Sequence, residues 1–253
     1  MGPPVTAKIL YLDIETFPEK SYTWGRRKQW ISAEQVIESG RVAAVAAKWH
    51  DGKTVMWFSE FHCEGGSEQM IRSTWNLLDE ADVVVHFNGK TFDIPWLHTE
   101  FLKLGLLPPS PYKQIDLYQV AKRVVRLPSY RLKDVLLAFN LPTKSDPGGF
   151  KTWAGCMAGD ARAWATLRRY GKQDVVVLQP LYELLRAWSP GLPNMGLWSD
   201  EEHSCPACGG TDLRQEGRAL TTLGAYQRYQ CRSCGKWSRG KKAIDYVELR
   251  GAA

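Results

Sequence analysis

Two carboxylates one residue apart, Asp13 and Glu15, stand where the apolar run Lys8–Ile14 ends. Side chains two apart on a strand share a face, so this pair either lies solvated at a strand end or shares a cation. A third acid, Asp93, closes the segment His86-Phe87-Asn88-Gly89-Lys90-Thr91-Phe92. There a buried-type strand passes through a glycine turn into a helix, which Asp93 is equally placed to cap. A fourth acid, Asp174, follows Tyr170 by four residues in a helical stretch, so phenol and carboxylate lie on one helix face. Were a fold to gather these four carboxylates into one pocket, they would repel strongly unless divalent cations neutralised them. Hard oxygen ligands of that kind select Mg²⁺ or Mn²⁺.

A second set of chemically active residues lies near the C-terminal end. Cys205-Pro206-Ala207-Cys208 and Cys231-Arg232-Ser233-Cys234 are two Cys-x-x-Cys pairs separated by residues 209–230, with glycines soon after each. Four thiolates in two such turns suit one tetrahedral, structural Zn²⁺, and His203 is near enough to substitute for one of them. Arg228, Arg232, Lys236, Arg239, Lys241 and Lys242 follow one another without an acid, interleaved with Tyr226, Tyr229 and Trp237. Cations among aromatics suit a phosphate backbone with exposed bases, or a docking surface for a replication or repair protein. Cys63 and Cys156 are isolated thiols, read as packing residues.

The elements that must position these groups follow from pattern. Lys8–Ile14 is a strand, and Val42–Trp49 and Thr54–Phe58 are two more joined by an Asp51-Gly52 turn. Ser67–Glu80 has helical spacing with Ser67 as its N-cap. Val83–Val85 is a buried strand, followed by a helix over Asp93–Leu104. Helices are expected over Asp116–Val125, Leu132–Phe139 and Ala161–Trp188, the last kinked at Pro180. Thr143–Gly149 reads as a loop, residues 18–40 as a Trp- and Arg-containing connection, and 189–200 as a linker. No internal repeat is evident. The order predicts an α/β fold, a mixed sheet flanked by helices, over residues 1–198, with a small zinc module over 199–253. Too little core is available in that tail for it to fold without its metal.

Asp-Ile-Glu-Thr at 13–16, Asn88-x-x-x-Phe92-Asp93 and Tyr170-x-x-x-Asp174 together resemble the DEDD exonuclease superfamily in its tyrosine-bearing subclass. The likeness spans roughly residues 8–188 and is strongest to proofreading domains of family-B DNA polymerases and to small phage-encoded exonucleases. Asp116-Leu117-Tyr118 and Ser129-Tyr130-x-Leu132 resemble segments between the second and third motifs, although a helix N-cap explains Asp116 equally well. The resemblance implies a ribonuclease-H-like fold and a metal-dependent 3′–5′ exonuclease, with Asp13, Glu15, Asp93 and Asp174 holding two Mg²⁺ or Mn²⁺ ions. Asp13 would bridge the ions, Glu15 and Asp174 would hold the inner one, and Asp93 would act on the outer one through water. A phenol with pKa near 10 is a poor base at neutral pH, so Tyr170 would orient the attacking water. Around the site, Asn88 and Lys90 are expected to contact nucleic acid, as are Arg228, Arg232, Lys236, Trp237 and Arg239 in the ribbon. Phe17, Phe92 and Tyr130 could stack on terminal bases, with core packing the expectation for Phe92. Arg123, Arg126, Arg131 and Lys133 are further channel candidates or ordinary surface charge.

The 253 residues carry a net charge of +6, with 44% hydrophobic and 24% charged side chains. The excess of positive charge favours a polyanionic partner. No apolar run approaches the roughly 18 residues of a membrane span, and the N-terminal segment has no leader pattern. These features predict a reducing cytoplasm and no membrane association, and the resemblance implies that of a bacterium or a phage-infected host. The expected substrate is the single-stranded or frayed 3′ end of DNA, with RNA as the alternative. A non-catalytic nucleic-acid-binding adaptor of the same fold would be marked by a missing carboxylate, and none is missing.

Overall fold

The computed structural model describes residues 6–143 and 148–249. The expected Thr143–Gly149 loop thus has residues 144–147 outside the described residues, as are residues 1–5 of the leader reading. The chain divides into two compact units, Lys8–Lys122 with Arg126–Leu181, and Arg123–Val125 with the segment from Tyr182 onward.

The first unit is built on β1 (Ile9–Phe17), β4 (Arg41–Trp49), β5 (Met56–Ser59), β6 (Val83–His86) and β7 (Lys113–Asp116). They form a mixed sheet in the order β5-β4-β1-β6-β7. The β1–β4 and β4–β5 pairs are antiparallel, and β6 runs parallel to both β1 and β7. Between β1 and β4 the chain makes a small antiparallel pair, β2 (Lys20–Ser21) with β3 (Val36–Glu38). On one face of the sheet, Leu10, Leu12 and Ile14 pack with Met70, Ile71 and Leu78 of α1 (Gly66–Glu80) and with Leu97 and Phe101 of α2 (Asp93–Lys103). On the other face, Phe17, Ala43 and Ala44 meet Cys156 of α5 (Phe150–Met157) and Trp164 and Leu167 of α6 (Ala161–Arg186). The small side chains of β4 let these helices approach closely, which suits a buried sheet face. Two shorter helices, α3 (Leu117–Val124) and α4 (Leu132–Ala138), follow β7.

The mixed sheet flanked by helices is the expected fold, with local differences. Pairing with β4 carries β1 on to Phe17, so Asp13 and Glu15 lie within the strand, next to a register shift between Glu15 and Thr16. Ser67 is inside α1 and does not cap it. Gly65 holds the cap position, and its N–H donates to Gln69 Oε1 at 2.8 Å. The helix expected from Asp116 begins one residue later, because Asp116 ends β7. Helix α5 was expected as neither helix nor strand, and Pro180 sits inside α6.

The second unit contains β8 (Leu213–Leu220), β9 (Gly224–Cys231) and β10 (Trp237–Tyr246), an antiparallel sheet in the order β10-β9-β8. The segment read as a linker holds a 3₁₀ turn at Met195–Trp198, and the Met195 N–H donates to Pro206 O at 2.9 Å inside the first cysteine pair. Among the described residues no helix is long and apolar enough to cross a membrane.

Candidate active site and candidate zinc centre

Asp93 fixes the geometry of the acidic site. It opens α2 and is only 4% exposed, and its Oδ1 accepts the Ile14 N–H at 3.0 Å. The carboxylate therefore lies against the β1 backbone between Asp13 and Glu15, rather than serving as a helix cap alone. Asp13 is half-buried and Glu15 is buried, both on the face of β1 that looks toward α6. From α6, Gly171 comes up to the same place: a Cβ built there would lie 3.7 Å from Glu15 Oε1 and 2.6 Å from the Trp57 ring. Gly171 sits between Tyr170, half-buried, and Asp174, 4% exposed. Strand β1 thus meets the start of α2 at Ile14 and the middle of α6 at Glu15.

Burial pushes the Asp93 carboxyl up to about 7. Hydrogen bonds from the Ile14 and Asp93 amides oppose the rise, and the negative charge of Asp116 adds to it. A carboxylate so desolvated stays ionised at neutral pH more readily beside a cation. The donor set is wholly oxygen, which fits Mg²⁺ or Mn²⁺.

A buried network behind the acids holds the turn that presents Asp93. Asp116 accepts backbone N–H groups from Asn88 (2.8 Å), Lys90 (3.3 Å) and Tyr118 (3.1 Å). It therefore caps α3 and also ties down the turn. His86 is fully buried, and its Nδ1 accepts the Gly89 N–H at 3.1 Å. That leaves the ring proton on Nε2, 3.2 Å from Gln114 Oε1. Burial pushes the His86 pKa down, against the opposing charge of Asp116, so the ring is neutral. A Cβ at Gly89 would lie 2.5 Å from the His86 ring, which explains the glycine. Asn88 takes φ 66°, and its Oδ1 accepts from Thr91 Oγ1 at 3.1 Å. The sequence reading missed His86 and the turn-holding role of Asp116; the glycine three residues after the histidine was the available signal.

The other expected contacts separate by exposure. Phe17 is buried against Trp164 (5.6 Å, edge-on), with the Arg41 guanidinium over its ring, so it does not stack on a base. Phe92 is 42% exposed beside Asp93, contrary to the expectation of core packing. Its place at the N-cap of α2 turns the ring outward, where it meets Trp96 edge-on at 6.4 Å. Tyr130 is half-buried, and its hydroxyl accepts the Leu127 N–H. Lys90, Arg123, Arg126, Arg131 and Lys133 are exposed.

In the second unit, the sulfurs of Cys205, Cys208, Cys231 and Cys234 all lie within 4.8 Å of one another. The Cys205–Cys234 and Cys208–Cys231 separations are 3.6 and 3.7 Å. Four thiolates about 2.3 Å from a tetrahedral Zn²⁺ would stand roughly 3.8 Å apart, so the cluster could bind zinc. Each pair ends in a left-handed glycine, Gly209 (φ 73°) and Gly235 (φ 79°), whose N–H donates back to the first cysteine's carbonyl. A hydrogen bond from Cys208 holds the Cys205 thiol down at about 5, while Cys208 is pushed far up by the same bond. Burial pushes Cys234 up as well. Cys208 and Cys234 therefore keep protons that a metal must displace. His203 stacks on Tyr229 at 5.7 Å and is not a member of the cluster. The Arg228 guanidinium lies 4.5 Å from the Trp237 ring centre, and that of Arg239 lies 4.2 Å from Tyr226. Arg228 and Arg239 are cross-strand partners. Lys236 Nζ donates to Ser189 O at 2.8 Å, and Arg232 forms an exposed ion pair with Asp212.

Residues 37–186 match the family model of the RNase_H superfamily. The chain belongs to the RNase_H superfamily. The match takes in β4 through α6 and so includes Asp93, Tyr170 and Asp174, while Asp13 and Glu15 precede it. A DNA polymerase of Pyrococcus glycovorans is 25% identical over an alignment 214 positions long that covers 72% of this chain and 25% of the polymerase. The chain thus spans about a quarter of that relative's length. The family B DNA polymerase of the hyperthermophilic archaeon Pyrobaculum calidifontis superposes with a TM-score of 0.54 at 19% identity. That superposition covers 89% of this chain and 33% of the polymerase, and at this identity it speaks for the fold alone. Membership in the RNase_H superfamily supports a nuclease-type hydrolase.

Proposed function

We propose that this RNase_H-superfamily protein is a 3′–5′ exonuclease of the tyrosine-bearing DEDD subclass, releasing nucleoside 5′-monophosphates. The observation that carries the reading is the docking of Asp93 Oδ1 on the Ile14 amide. It draws the second acidic motif onto the strand of the first, whose Glu15 is approached by Gly171 of α6. Asp13, Glu15, Asp93 and Asp174 would hold two Mg²⁺ or Mn²⁺ ions. When bound, these would neutralise the acidic pocket and stabilise charge developing on the phosphoryl oxygens.

The chain's own groups do the positioning. The Tyr170 hydroxyl, one helical turn from Asp174, orients the attacking water. The exposed Phe92 ring offers a face to the terminal base, and Asn88 and Lys90 hold the adjoining phosphate. The buried His86–Gly89–Asp116 network keeps that turn rigid and so fixes Asp93. Residues 1–198 would carry hydrolysis. Residues 199–253 would carry a structural Zn²⁺ on the four cysteines and bind nucleic acid with Arg228, Arg232, Lys236, Trp237 and Arg239. A relative in sequence is a DNA polymerase, which favours DNA over RNA.

The test is incubation of 5′-labelled and 3′-labelled single-stranded DNA and RNA with the protein in Mg²⁺ or Mn²⁺, alongside a circular substrate. A descending ladder from the 5′-labelled DNA, with the circle intact, is the expected result. Fragments from the circle would make the enzyme an endonuclease, a ladder from RNA alone an exoribonuclease. No product in either metal would leave the adaptor reading.

A further inference from the structure

The connection between β1 and β4 has no part in the chemistry described so far. Residues 20–33 hold Lys20, Arg26, Arg27 and Lys28 with no acid, together with Tyr22, Trp24 and Trp30. The base of this arm is built: β2 pairs with β3, Lys20 meets Glu38 at 2.7 Å, and the Tyr22 N–H donates to Gln35 O at 2.9 Å. Beyond the base, residues 22–30 are all exposed. Trp24 is 98% and Trp30 89% exposed. Tryptophan is a highly buried residue type on average, so two rings wholly in water on an anchored loop form a surface presented outward.

The arm grows from the site's own scaffold. It leaves the end of β1, two strand positions beyond Glu15, and returns through Gly40. A Cβ at Gly40 would lie 3.0 Å from the Trp96 ring and 3.1 Å from Phe17 O. Trp96 belongs to α2, three residues after Asp93, and touches the exposed Phe92 ring. The root of the arm is thus clamped between β1 and α2, the two elements that bring Asp13, Glu15 and Asp93 together.

We propose that this arm is a single-strand clamp: Trp24 and Trp30 stack on bases of the substrate strand while Arg26, Arg27 and Lys28 hold its phosphates. The inference rests on the nuclease reading above. Exposed tryptophans with arginine also suit a protein partner. Arg26, Arg27 and Lys28, three cations with no acid beside them in residues 20–33, favour a polyanion, and aromatics interleaved with them suit unstacked bases.

The test uses the full chain and a 5′-labelled single-stranded oligodeoxynucleotide whose 3′ linkages are phosphorothioates, titrated by fluorescence anisotropy at several salt concentrations. Trp24→Ala/Trp30→Ala should weaken binding by about tenfold or more. Arg26→Ser/Arg27→Ser/Lys28→Ser should flatten the dependence of log K on log salt by about 2. Both sets are exposed, so melting temperatures should match the wild type. Turnover of a mononucleotide aryl ester should not change, while kcat/KM on a normal oligonucleotide falls. Unchanged affinity and salt slope in both variants would overturn the clamp, as would equal losses on ester and polymer. A wild type that binds through the arm yet hydrolyses neither substrate would instead defeat the exonuclease reading and leave the clamp standing. Oligonucleotide turnover equal in wild type and variants would defeat the clamp alone.

Discussion

At Asp93, burial and ionic charge pull in opposite directions. Its carboxyl sits at about 7 in the folded chain against an ordinary 3.8. Between those values the folded protein holds a proton that the unfolded chain has released, so without Mg²⁺ or Mn²⁺ stability falls as pH rises from about 4 to 7. At about 1.4 kcal/mol per pH unit this amounts to on the order of 4 kcal/mol. Asp93→Asn keeps an oxygen for the Ile14 N–H and removes the titration. In metal-free buffer, the melting temperature of wild type relative to Asp93→Asn should therefore drop from pH 5 to pH 8, and Mg²⁺ should restore it only in the wild type. Parallel pH profiles would contradict the placement. Tyr170→Phe should lower kcat about 100-fold with KM little changed, since it removes positioning and not binding; full steady-state activity would exclude the role. The four acids are singled out in the sequence only by three motifs taken together, since each pattern alone has an ordinary structural explanation. His86 and the turn-holding role of Asp116 are not, because their partners are backbone amides of a turn, of which Gly89 three residues after His86 is the one trace.

At the scale of elements, the close contact at Gly171 sets how α6 lies on the sheet. Alanine is better than glycine in a helix interior by about 1 kcal/mol. A Cβ 2.6 Å from the Trp57 ring must displace that ring or the helix, and overpacking of this kind costs about 1–3 kcal/mol. Gly171→Ala should therefore lower the melting temperature, and by shifting Tyr170 and Asp174 from Glu15 it should reduce kcat more than it raises KM. A stabilised, fully active variant would show that α6 is not held there. The long apolar strands and the α1 and α2 helices were readable from periodicity. Strand β7 was not: Lys113-Gln114-Ile115-Asp116 buries only its last two residues, and its pairing with β6 alone makes it a strand. Helix α5 was hidden for a related reason. It buries Thr152 and Cys156, too few positions to show a period, and its place depends on Gly155 meeting Ala163 of α6.

For the whole molecule, the two units draw stability from different sources. The first has a sheet cored on both faces, whereas the core of the second is Cys205, Ala207 and Cys231 with a few flanking side chains. Removing zinc should therefore abolish amide protection in β8–β10 while leaving β1, β4 and β6 protected, measured by hydrogen exchange. Zn²⁺ titration of the stripped protein should release protons, because Cys208 and Cys234 hold theirs strongly. Protection that persists without metal would refute a structural zinc. The cysteine cluster was legible from spacing alone, but the pairing of Arg228 with Trp237 and of Arg239 with Tyr226 depends on strand register and was not. The proposed hydrolysis depends on the delivery of four acids to shared cations by β1, α2 and α6. It is tested most directly by Mn²⁺ titration of the zinc-loaded protein, read by electron paramagnetic resonance. Two bound Mn²⁺ per chain are expected, with binding weakened in each of Asp13→Ala, Asp93→Asn and Asp174→Ala. Wild-type Mn²⁺ binding in all three variants would contradict the account.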